Sequence, residues 1–116
     1  MNKRTEENFL NRDPILKQIV DTLVEAFKPE RIYLFGSKAR GQDGPDSDYD
    51  IMVVVPDDTP KEKKQLGQAP KVLWENGVTT AADVLVWTKG RFDSRLHLKA
   101  SLPATIVDEG KLLYAA

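Results

Sequence analysis

Between Asp13 and Phe27 the apolar residues fall at helical spacing: Leu16, Val20, Leu23 and Phe27, with Ile15 and Ile19 widening the stripe. Residues three and four apart share one face of a helix, so the pattern predicts an amphipathic helix over 14–27. Asp13 offers an N-cap oxygen, Pro14 a preset first-turn dihedral, and Pro29 a stop. Residues 1–12 read as a polar lead-in. From Arg31 to Phe35 the pattern turns apolar and aromatic on both faces, which suits a buried central strand. Gly36 to Ser47, with three glycines and a proline, reads as loop holding one helical turn through Lys38-Ala39-Arg40.

A second strand is expected over 48–55, closed by Pro56-Asp57-Asp58. Thr59-Pro60 then repeats the cap-and-proline signature and opens a helical region reaching Asn76-Gly77, which Pro70 divides into two short helices. A third strand spans Thr80–Thr88, with Val84, Leu85, Val86 and Trp87 as its apolar body. Residues 91–109 are helical in character, interrupted near Pro103, with Phe92, Leu96, Leu102 and Ile106 turned inward. Gly110 ends that region, and Leu112-Leu113-Tyr114 adds a short edge strand. Trp74 and Trp87 are expected in the core. Helices alternating with strands predict one α/β domain, a single sheet flanked by helices, without internal repeat or linker.

Composition narrows the functional classes. The chain has 116 residues, 41% hydrophobic and 30% charged, an ordinary globular balance with room for one core. Lys plus Arg is 17 and Asp plus Glu 18, a net charge of −1 that gives no bulk pull toward nucleic acid. Lys61-Glu62-Lys63-Lys64 is accordingly read as a solvated face. The absence of cysteine excludes disulfides and thiolate metal sites. The basic start has no apolar run behind it, and no stretch is apolar for the roughly 18 residues that span a bilayer, so a cytoplasmic setting is expected.

The chemistry concentrates between Gly36 and Asp50. Asp48 and Asp50 are two apart at the start of a strand, so both carboxylates point the same way, roughly 6.5–7 Å apart. Such a pair is costly unless a cation fills the gap. Gly36-Ser37-Lys38-Ala39-Arg40-Gly41 fits G-x-x-x-x-G, but a phosphate loop continues with Lys and Ser or Thr, and here Gln42-Asp43 follow. No G-x-G-x-x-G is present either. Asp43, Asp46, Asp57 and Asp58 read as surface acids in loops, and His97, the one histidine, as structural or exposed.

What remains, Gly36-Ser37, ten residues, then Asp48-x-Asp50, resembles the signature of the DNA polymerase β-type nucleotidyltransferases. G-S-x-A-R-G…S-D-x-D is similar to their minimal, MNT-type branch, as are the preceding helix, the Ala82-Asp83-Val84-Leu85-Val86-Trp87 strand and Glu109-Gly110…Leu113-Tyr114. The resemblance covers nearly the whole chain and implies a nucleotidyltransferase fold, a mixed sheet flanked by helices, with residues 1–116 as one minimal domain. The residues agree with it. Gly36 leaves room for a phosphate and Ser37 can donate to it. Asp48 and Asp50 suit Mg²⁺, and a two-metal arrangement calls for a third carboxylate on a neighbouring strand, for which Asp83 is the candidate. Arg40 would neutralise triphosphate charge. The family's third acid activates the acceptor hydroxyl.

The resemblance further implies transfer of AMP from ATP to a hydroxyl with release of pyrophosphate. Minimal members often pair with an HEPN-domain protein as the antitoxin that modifies a tyrosine of the toxin. Two alternatives stay open. One is a binding module that neutralises a partner by contact, its nucleotide site vestigial. The other is a small-molecule transferase of the aminoglycoside-modifying kind, acting with a second subunit or as a dimer.

Overall fold

In the computed structural model, whose described residues are 5–41, 44, 48–65 and 67–116, the stretch expected as a polar lead-in holds a helix. This is α1 (Glu7–Arg12), and Phe9 and Leu10 give it an apolar side that packs on the core. α2 (Pro14–Phe27) follows as its cap predicts: Asp13 Oδ1 accepts from the Leu16 N–H at 3.0 Å. It stops where Lys28 turns left-handed (φ 49°) and donates its N–H to the Val24 carbonyl, just ahead of Pro29. Leu16, Ile19, Val20, Leu23 and Phe27 are buried. Ile15 is 44% exposed, contrary to expectation, because it lies roughly 100° around the helix from the middle of that stripe.

β1 (Arg31–Phe35) runs directly into α3 (Gly36–Arg40), so the helical turn expected at 38–40 begins two residues earlier. Of the loop that follows, residues 42–43 and 45–47 lie outside the described set, and with them the expectations for Asp43 and Asp46. β2 (Tyr49–Val55) leads to α4 (Lys61–Lys64) and α5 (Gln68–Glu75). The break between these two helices falls before Gly67 (φ 91°) rather than at Pro70. Pro70 sits in the first turn of α5, where a missing N–H leaves no helical bond unmade. α5 buries only Ala69 and Leu73, and Trp74 beside them is 70% exposed, not a core residue.

β3 (Ala82–Thr88) passes into α6 (Lys89–Asp93), capped by Thr88 Oγ1 accepting from Arg91 N at 3.3 Å. Residues 94–101 are turns, so the helical stretch expected over 91–109 is broken well before Pro103. Leu96, 36% exposed there, does not face inward. Ser101 then caps α7 (Leu102–Glu109), with Pro103 in its first turn, and β4 (Lys111–Ala115) completes the chain.

The four strands form one mixed sheet in the order β3-β2-β1-β4. β1 is antiparallel to both β2 and β4, while β3 is parallel to β2, reached by the crossover through α4 and α5. Alternation along the strands splits the core in two. Ile32, Leu34, Ile51, Val53 and Val55 meet α2 and α5 on one face. Tyr33, Met52, Val54 and Leu112 meet Phe92 and Ile106 of α6 and α7 on the other. On that second face Tyr33 stacks on Phe92 (centroids 5.5 Å apart), and Arg31 binds Asp93 at 2.7 Å, fixing α6 to β1. β3, at the sheet edge, is only half-buried along most of its length. Among the described residues no helix is long and apolar enough to cross a membrane.

Candidate active site

The site is built where β1 ends. Phe35 is extended, and Gly36 then takes a left-handed φ of 74°, a region costly for any side chain. The space is denied as well: a Cβ on Gly36 would collide with Asp50 Oδ2 and lie 3.1 Å from its Cγ. The glycine therefore lets the start of α3, with Ser37 half-buried in its first turn, close down on the Asp50 carboxylate.

Register brings in the second acid. Phe35 pairs with Asp50 across the antiparallel ladder, and Asp50 pairs with Asp83 across the parallel one. Neighbours in such a row share a face of the sheet about 4.8 Å apart. Asp50 and Asp83 thus stand side by side on the face that carries Met52 and Leu85, at the end where α3 begins. Asp48 is exposed and lies one residue ahead of β2, just beyond the ladder.

Electrostatics ties these residues together. Burial pushes the Asp50 carboxyl above the usual carboxylate range, the charges of Asp83 and Asp48 push it further, and Arg40 pulls it back. A carboxylate strained by like charges on two sides is stabilised by a cation. Among the described residues no three carboxylates or imidazoles close into a metal cage by themselves. The donor set fits instead an open site for a hard divalent ion, where protein carboxylates supply part of the shell and water or phosphate oxygens the rest.

A groove of about 780 Å³ runs from Asp50 and Asp83 along β3 past Leu85 to Trp87 and Arg91, within the usual size of ligand pockets. Its walls include residues that sequence reasoning placed elsewhere. Trp87, expected in the core, is half-buried and forms one end of the groove, with the Arg91 guanidinium 3.7 Å from its ring centroid. Lys64, expected on a solvated face, is half-buried on the flank. Their roles depend on which strand lies at the sheet edge, and no local pattern carries that. Arg40 is exposed at the end of α3, and His97 is exposed in the 94–101 turns. Asp58 is solvent-exposed as expected; Asp57 is exposed too, yet accepts from the Gly90 N–H at 2.8 Å and braces the start of α6.

Comparison with known proteins identifies the family and the fold. The family model described as nucleotidyltransferase domain matches residues 16–113. A toxin–antitoxin crystallised with AMP-PNP is similar over 86% of this chain and 73% of that one, at 23% identity and a TM-score of 0.57. A protein from Sulfolobus solfataricus, described as a candidate nucleotidyltransferase, aligns over 88% of this chain and 78% of its own, at 23% identity and a TM-score of 0.55. A mutant of the toxin–antitoxin MntA-HpeT aligns over 86% and 73%, at 20% identity and a TM-score of 0.55. At these identities the structures establish a common fold. No curated protein matches the chain.

Proposed function

Since the chain belongs to the nucleotidyltransferase domain family and is a nucleotidyltransferase, we propose that it transfers AMP from ATP to a hydroxyl on a partner protein, with Gly36, Ser37, Arg40, Asp48, Asp50 and Asp83 as its working residues. Residues 1–116 are taken as one minimal domain acting in the cytoplasm. The observation that carries the reading is the row Phe35–Asp50–Asp83, with Gly36 pressed against Asp50.

In this assignment the Gly36 backbone and the Ser37 hydroxyl hold the triphosphate, and Arg40 offsets its charge. Asp48, Asp50 and Asp83 would hold Mg²⁺, which when bound neutralises phosphate charge and stabilises the leaving oxygen. The acceptor hydroxyl approaches from the β3 side, where Asp83 is exposed, and gives its proton to the Asp83 carboxylate. Its oxygen bonds to the α-phosphorus as the bond to the bridging oxygen of pyrophosphate breaks.

The toxin–antitoxin relatives support a toxin as the acceptor's carrier, and the resemblance of the motif supports an HEPN-domain protein modified on a tyrosine. The test is label transfer from α-³²P-ATP with Mg²⁺ into a lysate of the source cell, beside an Asp48→Asn control. A protein band labelled by the wild type alone is the expected result. Label in small material instead would favour a small-molecule acceptor. No label from any of the four nucleotides, with the toxin supplied, would leave neutralisation by contact as the better reading.

A further inference from the structure

Tyr49 stands between the two carboxylates of Asp48-Tyr49-Asp50, and its side chain takes the opposite face of the sheet. It is 6% exposed and packs in the core beneath α2. Its hydroxyl donates to Asp13 Oδ2 at 2.7 Å, while Asp13 Oδ1 accepts the Leu16 N–H at 3.0 Å. One carboxylate therefore caps α2 and anchors the start of β2. The ring itself meets α3: Lys38 Nζ lies 4.5 Å from the ring centroid, one residue on from Ser37. Tyr49 thus joins three segments, the N-terminus of α2, the helix that carries Ser37, and the strand that carries Asp50.

Its position in the ladder gives that junction a function. The β1 pairing ends at Phe35–Asp50 and the β3 pairing begins at Tyr49–Ala82. Tyr49 N donates to the Ala81 carbonyl at 3.2 Å. Asp48 lies beyond both ladders, so Tyr49 is the last residue fixed by the sheet before it. A rotation of the Tyr49 peptide would swing Asp48 away from Asp50, and the hydroxyl bond to Asp13 is placed to resist that rotation.

We infer that Tyr49 is a positioning residue for the metal and phosphate groups: its hydroxyl bond to Asp13 sets Asp48 against Asp50, and its ring seats α3 through Lys38. The inference rests on reading Asp48 and Asp50 as the metal ligands. Two variants isolate the hydroxyl bond. Tyr49→Phe keeps the ring under Lys38, and Asp13→Ser keeps an N-cap while withdrawing the acceptor.

The probe is Mn²⁺, titrated onto the full chain with a non-hydrolysable ATP analogue and followed by loss of the free-ion electron paramagnetic resonance signal. Each variant is expected to weaken Mn²⁺ binding about three- to tenfold, the scale of one net hydrogen bond. The double variant should be no weaker than either single one, because both remove the same bond. Transfer assays should show the matching split, a raised metal requirement with little change in KM for ATP. Tyr49→Leu, which also removes the ring, should raise that KM.

The outcomes separate cleanly. Lower melting temperatures with unchanged Mn²⁺ affinity would make Tyr49 a core residue and overturn the inference. Additive losses in the double variant would overturn it too. If the wild type bound Mn²⁺ no better than Asp50→Asn, the underlying metal assignment would fail instead.

Discussion

The α-carbon of Gly36 lies against the carboxylate of Asp50, so close that a methyl group there would overlap Oδ2. The contact joins the Gly36–Ser37 turn to the Asp50 carboxylate and makes the glycine irreplaceable on two counts. Gly36→Ala also forces a side chain into a left-handed conformation, a cost of about 1–2 kcal/mol before any overlap. It is expected to destabilise the fold by at least that much and to reduce transfer roughly 100-fold or more, because a misplaced carboxylate of about 1 Å has that effect. Thermal unfolding and initial-rate kinetics check the two parts separately.

Asp50→Asn is expected to trade function for stability. The Asp50 carboxyl is raised by burial and then by Asp83 and Asp48, so its folded value lies above its unfolded one. Ionised Asp50 then opposes folding at neutral pH, and that penalty fades as pH falls through the raised value toward the unfolded one. The variant should melt higher than the wild type near pH 7, lose this advantage in acid, and be inactive. A melting series from pH 3 to 8 without divalent ions measures it, and equal melting at pH 7 would contradict the argument. Asp48→Asn should also abolish transfer with the fold intact.

The Asp93 carboxyl behaves in the opposite sense. Burial pushes it up, but hydrogen bonds and charge from Arg31 and Lys89 outweigh that and hold it below the usual carboxylate range. The stability it contributes is present above the unfolded carboxylate value and lost as pH falls through the lowered one. Asp93→Asn is expected to cost about 1 kcal/mol at pH 7, a modest figure because the pair is partly exposed and screened. The cost should shrink as pH falls through the lowered value, and denaturant melts in a series from pH 7 into strong acid follow it.

Trp87 lies four residues along β3 from Asp83, roughly 13 Å at strand spacing, too far to touch reacting atoms. Trp87→Leu is therefore expected to raise KM for ATP or for the acceptor several-fold while kcat changes little. Measuring both KM values at saturating co-substrate shows which ligand uses that end of the groove.

The elements were legible where local chemistry decides them. Asp13-Pro14 marks the start of α2, and the apolar run from Arg31 to Phe35 marks a strand buried on both faces. The mixed sheet with flanking helices is the architecture expected. Misjudgements came where tertiary position overrides pattern. Phe9 and Leu10 fold a polar-looking segment onto the core, Leu96 belongs to a turn rather than a helix face, and Trp74 stays largely exposed on α5. The motif named Gly36, Ser37, Asp48 and Asp50, but the adjacency of Asp50 to Asp83 is a matter of parallel register. The roles of Tyr49, Trp87 and Lys64 followed only from knowing what lies behind and beside them.

The row Phe35–Asp50–Asp83 draws on three strands, and its last member arrives by a parallel crossover. Antiparallel β1 and β2 are joined through α3 by the shorter connection, whereas docking β3 requires the whole α4–α5 connection to be closed first. Pairings of longer sequence separation carry a larger closure entropy and slow folding. A nascent or partly opened chain would hold the Gly36–Asp50 contact before it owns a complete row. On the proposed role of Asp83, transfer depends on the docking of β3, and a chain fraying at that edge would fall silent before it unfolds.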